Sequence, residues 1–359
     1  MTYRVREAER ADYPAVRECM ARVFQETDSQ KSGVFDHHLW EWQYLSTERP
    51  SLIVIAESEG RVIGYYHALT LAMSREGRAV SGAMVQDVGT LAAYRGRGVF
   101  REMGGYALQR IGKMEVDFIY TFPNERSRPS FERNHDYSRV ALVPIYVTPL
   151  EPAAVIGYRI GAPSAGRALG RALLPIHRHW RDRQARLLPS ESVESTASIS
   201  DEIAACCQDL SRQRSIHLVR SVRFLTWRFL EKPNGDYRCW VLRTSGEVTA
   251  FVVTRVMKLF DYPSVVFLEF GCTSGQERGL QRLLAARLAA EQRQGALLGV
   301  TMGLHPFFGR LARLGFVRVP ERFNPRPFNL LTRNSAGTRG ADLTDPSRWL
   351  ITLADWDVL

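Results

Sequence analysis

The run Asp87-Val88-Gly89-Thr90-Leu91-Ala92-Ala93-Tyr94-Arg95-Gly96-Arg97-Gly98-Val99-Phe100-Arg101 predicts a β-strand that breaks at a basic glycine turn and passes straight into an amphipathic helix reaching about Lys113. Such a junction leaves the first N–H groups of the helix without intrahelical partners, at the positive end of its dipole. It is a seat for an anion, and a pyrophosphate suits it. Gly96 and Gly98 let the backbone approach the anion, while Arg95, Arg97 and Arg101 surround it with cationic donors. An ordinary basic turn would carry the same residues, so the spacing has to discriminate.

A Walker loop needs Lys-Ser or Lys-Thr after its last glycine, where this chain has Val99-Phe100. A dinucleotide fingerprint needs a third glycine or alanine and an acidic residue about 20 residues on. The segment instead resembles the acyl-CoA loop of the GNAT acyltransferase superfamily, Arg/Gln-x-x-Gly-x-Gly/Ala, through Arg95, Gly98 and Phe100, with Phe100 in place of the small last residue. A second anchor is Asn124, which stands where many members carry an Asn at the end of the next strand. Seven residues on, where those members carry an acidic Tyr, this chain has Phe131, and Asn134-His135-Asp136-Tyr137 replaces the usual Gly-Phe.

The element order agrees with that resemblance. The pattern predicts a strand at Tyr3–Ala8, a helix at Asp12–Gln25 and a helical aromatic segment at Asp36–Tyr44. A hairpin follows, Leu52–Glu57 and Val62–Met73 about Glu59-Gly60-Arg61, and then a strand at Ala79–Leu91. After the loop helix come a buried strand at Phe118–Phe122 and a helix opening at Pro123–Ser127. The paired His37-His38 lack an acidic or cysteine partner at ligand spacing, so no metal is expected.

The chain repeats itself. Leu39-Trp40-Glu41-Trp42-Gln43-Tyr44-Leu45 returns as Phe224-Leu225-Thr226-Trp227-Arg228-Phe229-Leu230, and each copy is followed by a Pro-containing turn, a strand and a Ser/Gly hairpin turn. Strands at Val248–Met257, Val265–Cys272 and Ala296–Met302, with helices at Gly279–Gln292 and His305–Leu314, complete the second copy, which closes on Leu314-Gly315-Phe316. Its loop, Thr273–Gly279, lacks the phosphate spacing and carries Glu277 where a pyrophosphate would be repelled. The expected architecture is α/β (α+β): two GNAT-like domains, each a mixed, mostly antiparallel sheet flanked by helices. The expected division is an acyl-CoA-binding domain at 1–150, a basic helical connector and linker at 151–200, and a second domain without CoA at 201–359.

The net charge of +10 is uneven: residues 1–150 are balanced, while 151–190 carry +5. Ala165–Leu188 reads as a basic amphipathic helix with Arg167, Arg171, Arg178, Arg181, Arg183 and Arg186, and Pro189–Ser200 as a Ser-rich linker. The helix suits a solvated connector, a membrane surface or an acidic carrier protein. No apolar run reaches the roughly 18 residues of a membrane span, and the charged N-terminus is unlike a signal peptide, which predicts a cytoplasmic protein. Five cysteines without Cys-x-x-Cys spacing are expected to be reduced. The C-terminal Arg348–Leu359 reads as a last strand with a solvated tip, or as a docked end bringing Asp355, Asp357 or the Leu359 carboxylate near an amine.

The resemblance implies acyl transfer from acetyl-CoA, or another acyl-CoA, to a small-molecule amine by direct attack. Val88, Gly89 and Thr90 would pair with the pantetheine arm, and Gly96, Arg97, Gly98, Val99, Phe100 and Arg101, with Arg95, would hold the pyrophosphate. Asn124 and Ser127 would act near the thiol. Losing the ammonium proton needs a carboxylate or imidazole; Asp87, ahead of the loop, is the first candidate and His135 a second. Tyr137, or Tyr120, is the candidate acid, and Glu41 and Trp42 with Asp87 are candidates for the acceptor side. Aminoacyl-tRNA-dependent Fem-type transfer, carrier-protein-dependent transfer and a non-catalytic GNAT-like binder are the alternatives. No sequence-specific nucleic-acid module is recognisable.

Overall fold

A computed structural model describes residues 2–27, 36–151, 175–176, 178–259, 261–324, 327–335 and 343–356. The chain divides into two compact units, Met1–Leu142 with Arg326–Arg348, and Val143–Pro325 with Trp349–Leu359.

The first unit holds β1 (Arg4–Glu7), α1 (Tyr13–Thr27), α2 (His37–Leu45), β2 (Leu52–Ser58), β3 (Arg61–Arg75), β4 (Arg78–Thr90), α3 (Val99–Ile111), β5 (Phe118–Thr121), α4 (Arg128–His135) and β6 (Ser138–Leu142). Two-residue turns join its long strands: Glu59-Gly60 and Glu76-Gly77 both have positive φ at each position, the turn whose twist matches that of a hairpin. Helix α3 presents Val99, Met103, Ala107 and Ile111 at four-residue spacing to Val54, Ala56, Ile63, Tyr66 and Val85 of the sheet.

The second unit holds β7 (Ile145–Pro149), β8 (Glu191–Thr196), α5 (Asp201–Ser211), β9 (Ile216–Leu218), α6 (Val222–Phe229), β10 (Tyr237–Thr244), β11 (Glu247–Leu259), β12 (Tyr262–Cys272), α7 (Glu277–Arg293), β13 (Leu298–Met302), α8 (Pro306–Arg310) and β14 (Val317–Arg318). The chain then returns to the first unit as β15 (Asn329–Asn334). The sheet orders are β1-β2-β3-β4-β5-β15-β6 and β14-β7-β13-β12-β11-β10-β8. Along these orders the neighbours pair antiparallel, except β4 with β5 and β12 with β13, which are parallel.

The boundaries expected at 150 and 200 differ from this division. β7 crosses to the second unit before residue 150, between β13 and β14, and β15 completes the first unit between β5 and β6. The supposed linker at 189–200 contains β8, an edge strand on β10; its exposed Ser192, Glu194 and Ser195 suit a solvated sheet edge.

Of the connector helix, residues 165–174 and 177 lie outside the described residues. Arg178 reaches Glu151 at 3.8 Å, and Arg181 is buried, donating to Thr148 Oγ1 at 2.8 Å and the Pro149 carbonyl at 2.9 Å. Arg181 therefore points into the protein while Arg178 stays at the surface beside Glu151, which leaves fewer cations of this helix for a carrier protein. All five cysteines are free and buried, and burial pushes the Cys19 thiol up to about 12. No helix among the described residues is long and apolar enough to cross a membrane.

Candidate active site

The site grows from the place where two strands part. β4 runs parallel to β5 only from Gly82, opposite Phe118, to Val85, opposite Thr121. β5 then ends, while β4 continues to Thr90 paired with β3 alone. Among the described residues, the 86–90 stretch of β4 thus has no strand on its β5 side. Val88, Gly89 and Thr90 lie along this opened edge. Gly89 is required there, since a Cβ would meet the Tyr65 hydroxyl at 2.4 Å.

At the end of the split a single turn, Ala92–Tyr94, leads into the glycine loop. Gly96 and Gly98 have φ of +74° and +82°, so conformation rather than space demands glycine: a Cβ on Gly96 would meet nothing within 4 Å. Gly98 caps α3 without a side-chain hydrogen bond to its first amides, which leaves the N–H groups at Val99–Arg101 as an anion seat. Thr90, Arg95, Gly96, Arg97, Gly98, Val99, Phe100 and Arg101, with Ser130 and Asn134 of α4, line a cavity of about 540 Å³.

Arg95 has a different task from the one expected. Its Nε donates to the Thr90 carbonyl at 2.9 Å and its Nη2 to Glu26 at 3.1 Å, while Glu26 also accepts from the Ala92 amide at 2.8 Å. It straps the loop to α1, whereas Arg97 and Arg101 remain exposed at the cavity. Asn124 turns its Oδ1 to the amides of Arg126 and Ser127, at 3.0 and 2.9 Å, and also accepts from the Ser127 hydroxyl. Asn124 and Ser127 thus build the turn that opens α4.

The two departures from the GNAT pattern are partners of each other. The Phe100 ring packs edge-on against Phe131 with centroids 5.3 Å apart and lies 5.0 Å from His135. His135 is buried between α3 and α4, and its pKa is lowered by burial. Gly104 makes room for it, since a Cβ there would approach the imidazole Nε2 to 2.2 Å. Gly104→Ala is expected to cost about 1–3 kcal/mol of overpacking; an unchanged urea midpoint would refute this packing role. Tyr137 is a core phenol against Phe131, its pKa raised by burial, and Tyr120 is likewise buried. Neither His135 nor Tyr137 is on the split strands, although Tyr137 meets Tyr66 of β3 in the core.

Asp87 is. It is the extra residue of a β-bulge: Val88 pairs with Tyr66 and Gln86 with His67, leaving Asp87 between them at φ +46°. Its Oδ2 accepts from the Tyr44 hydroxyl at 2.5 Å, and its carbonyl lies 3.0 Å from His67 Nδ1. Trp40 Nε1 donates to His67 Nε2 at 3.3 Å. On α2, Glu41 pairs with Arg17 at 2.5 Å and stays partly exposed, while Trp42 is buried. Trp40, Tyr44 and His67 are the residues that sequence reasoning missed; the four-residue spacing of Trp40 and Tyr44 was their only signal.

The second unit's corresponding loop meets two carboxylates. Asp209 accepts from the Ser274 amide at 3.2 Å, and Glu277 begins α7 with Arg310 at 3.8 Å. The expected C-terminal strand is replaced by single bridges at Trp349 and Ile351 and a short turn at Leu353–Asp355. Asp355 is buried on Arg220 at 2.6 Å, while Asp357 and Leu359 lie outside the described residues.

Residues 4–140 match the family model described as acetyltransferase (GNAT) domain. A probable N-acyltransferase from Enterococcus faecalis is similar in structure, with a TM-score of 0.66 at 11% identity over 93% of this chain and 72% of that one. A GCN5-related N-acetyltransferase from Anabaena variabilis gives 0.65 at 11% identity, over 92% and 72%. A tandem GNAT protein from the clavulanic acid biosynthesis pathway gives 0.55 at 12% identity, over 94% of this chain and all of that one. At these identities the structures speak for the fold, two GNAT-like domains in tandem. A comparison with curated protein sequences finds no match.

Proposed function

We propose, from its membership of the GNAT superfamily, that this chain is an acyl-CoA-dependent N-acyltransferase that moves an acyl group, acetyl first, to the amine of a small molecule. The observation that carries the reading is the uncapped start of α3 behind two positive-φ glycines, opening on a cavity of about 540 Å³. The amides of Val99–Arg101 and the cations of Arg97 and Arg101 suit a pyrophosphate. The opened edge of β4 at Val88–Thr90 suits the amide groups of a pantetheine arm. Asn124 stands at the mouth of α4, with its side-chain NH₂ as its donor toward the thiol end.

Asp87 sits at the bulge on the same edge, and it takes the proton that an ammonium acceptor must lose before its nitrogen attacks the thioester carbonyl carbon. A new C–N bond then forms, the C–S bond breaks, and the surplus proton on the newly bonded nitrogen passes to the sulfur, so that CoA leaves as the thiol. Tyr137 receives no role in this scheme, because its phenol is closed in the core. The second unit binds no CoA on this reading: Asp209 and Glu277 already lie at the start of its helix, where a phosphate would meet like charge.

Isothermal titration with acetyl-CoA and longer acyl-CoAs, followed by an amine panel scored by thiol release, tests the reading. Binding near 1 μM, about −8 kcal/mol, with amine-dependent thiol release is expected. No heat with any acyl-CoA would move the weight to another acyl donor or to a non-catalytic binder.

A further inference from the structure

Asp87 holds a backbone conformation that non-glycine residues avoid, at φ +46°. Such strain persists where the surroundings over-determine it. Two anchors do so, one on the main chain and one on the side chain.

The main-chain anchor is His67. It is fully buried, and burial lowers its pKa to about 4, so the ring is neutral near pH 7. A neutral imidazole has one donor and one acceptor nitrogen. The Asp87 carbonyl can only accept and Trp40 Nε1 can only donate, so the proton sits on Nδ1, and both ring nitrogens are satisfied.

The side-chain anchor is Tyr44. Its hydroxyl oxygen lies 3.4 Å from the side-chain amides of both Gln43 and Gln86, which donate to it. Its single proton is then directed to Asp87 Oδ2 at 2.5 Å. A hydrogen bond given to the ionised form of a carboxylate favours that form. Titratable groups near the bulge among the described residues include Tyr65 and His67 on β3, and Tyr65 is in turn coupled to Asp87, to Cys19 on α1 and to Arg95 in the loop. Burial keeps Tyr65, His67 and Cys19 uncharged near neutrality, and Arg95 is paired with Glu26.

We propose that Tyr44 is a positioning residue for the proposed base: its phenol holds the Asp87 carboxylate ionised and oriented at the bulge, while Trp40 and His67 lock the backbone of the same residue. This rests on the acyltransfer reading, but its physical half is measurable without activity. The test is carbon-13 NMR titration of aspartate carboxyls in the full chain, with Asp87→Asn to assign the signal, in the unchanged protein and in Tyr44→Phe.

Losing the donor is expected to raise the Asp87 titration midpoint by about 1 pH unit. A 3-fluorotyrosine placed at 44, a stronger donor of nearly the same shape, is expected to lower it. The acid limb of kcat/KM should move up with the midpoint in Tyr44→Phe, with kcat falling about 10-fold and KM for the acyl-CoA unchanged. A purely structural Tyr44 would move neither the midpoint nor the limb, and that outcome overturns the proposal. Midpoints that shift in a protein without any acyl transfer would sink the catalytic reading while leaving the electrostatic coupling in place.

Discussion

Gly98→Asp is expected to weaken acetyl-CoA binding by on the order of 100- to 1,000-fold while the first unit stays folded. The position has room for a side chain: a Cβ would come no nearer than 3.7 Å to the Tyr3 hydroxyl and 4.0 Å to Arg101 and Glu102. What changes is charge and conformation. At about 4 Å and an effective dielectric near 20, a carboxylate repels a phosphate by about 4 kcal/mol for each unit charge. The φ of +82° adds about 1–2 kcal/mol of backbone strain. Gly98→Ala carries the strain without the charge, so comparing the two by isothermal titration isolates the electrostatic part, with thermal melting as the check on folding. If Gly98→Asp binds acetyl-CoA as the unchanged protein does, the start of α3 is not the phosphate seat.

The glycine loop was legible in the sequence because its physics is local. A strand, two glycines and a helix start are set by neighbouring residues, and the hairpin turns Glu59-Gly60 and Ser245-Gly246 follow the same rule. Features that depend on what a residue meets across the fold were not legible. The bulge at Asp87 arises from the register of β4 on β3, and Tyr44 reaches it from 43 residues away. His135 and Tyr137 look like site residues when read along the chain, yet α3 and α4 close over them. The exchange of β7 and β15 was hidden for a related reason: alternation tells which face of a strand is buried, not which sheet it joins.

Phe100 and Phe131 show how two such readings correct each other. Taken singly, each departs from the GNAT pattern. Together they form one edge-on contact at the α3–α4 interface, so the change at the loop and the missing phenol on α4 are a single repacking. The anion seat survives because it is made of backbone. The proposed proton chemistry rests on Asp87, whose partners come from α2 and β3.

Arg220→Met is expected to destabilise the second unit by about 3–5 kcal/mol, the cost of leaving buried charges unpaired. Arg220 is almost fully buried and lies 2.9 Å from Glu269 and 2.6 Å from Asp355, both equally enclosed. Thr352 closes the cluster, donating its hydroxyl to Glu269 at 3.0 Å and its amide to Asp355 at 2.7 Å. Arg228 holds the same C-terminal segment through the carbonyls of Ala354 and Trp356, at 3.1 and 2.5 Å. The cluster therefore ties the segment after Trp349 to β12, and without Arg220 two carboxylates face each other in a dry interior.

The pH dependence gives the sign. Burial already raises the pKa of Glu269, against the pull of Arg220, and removing the arginine raises it further. A carboxyl whose folded pKa lies above its unfolded value favours the folded state below the unfolded value, and that contribution is lost as pH rises through the folded one. The deficit of Arg220→Met should therefore be smallest in mild acid and grow toward neutral pH. Hydrogen exchange read on peptides covering 262–272 and 349–356 reports the second unit separately from the first. Equal protection in variant and unchanged protein at pH 5 and pH 7 would mean that apolar packing of Trp349, Leu350 and Ile351 holds the segment without the ion cluster.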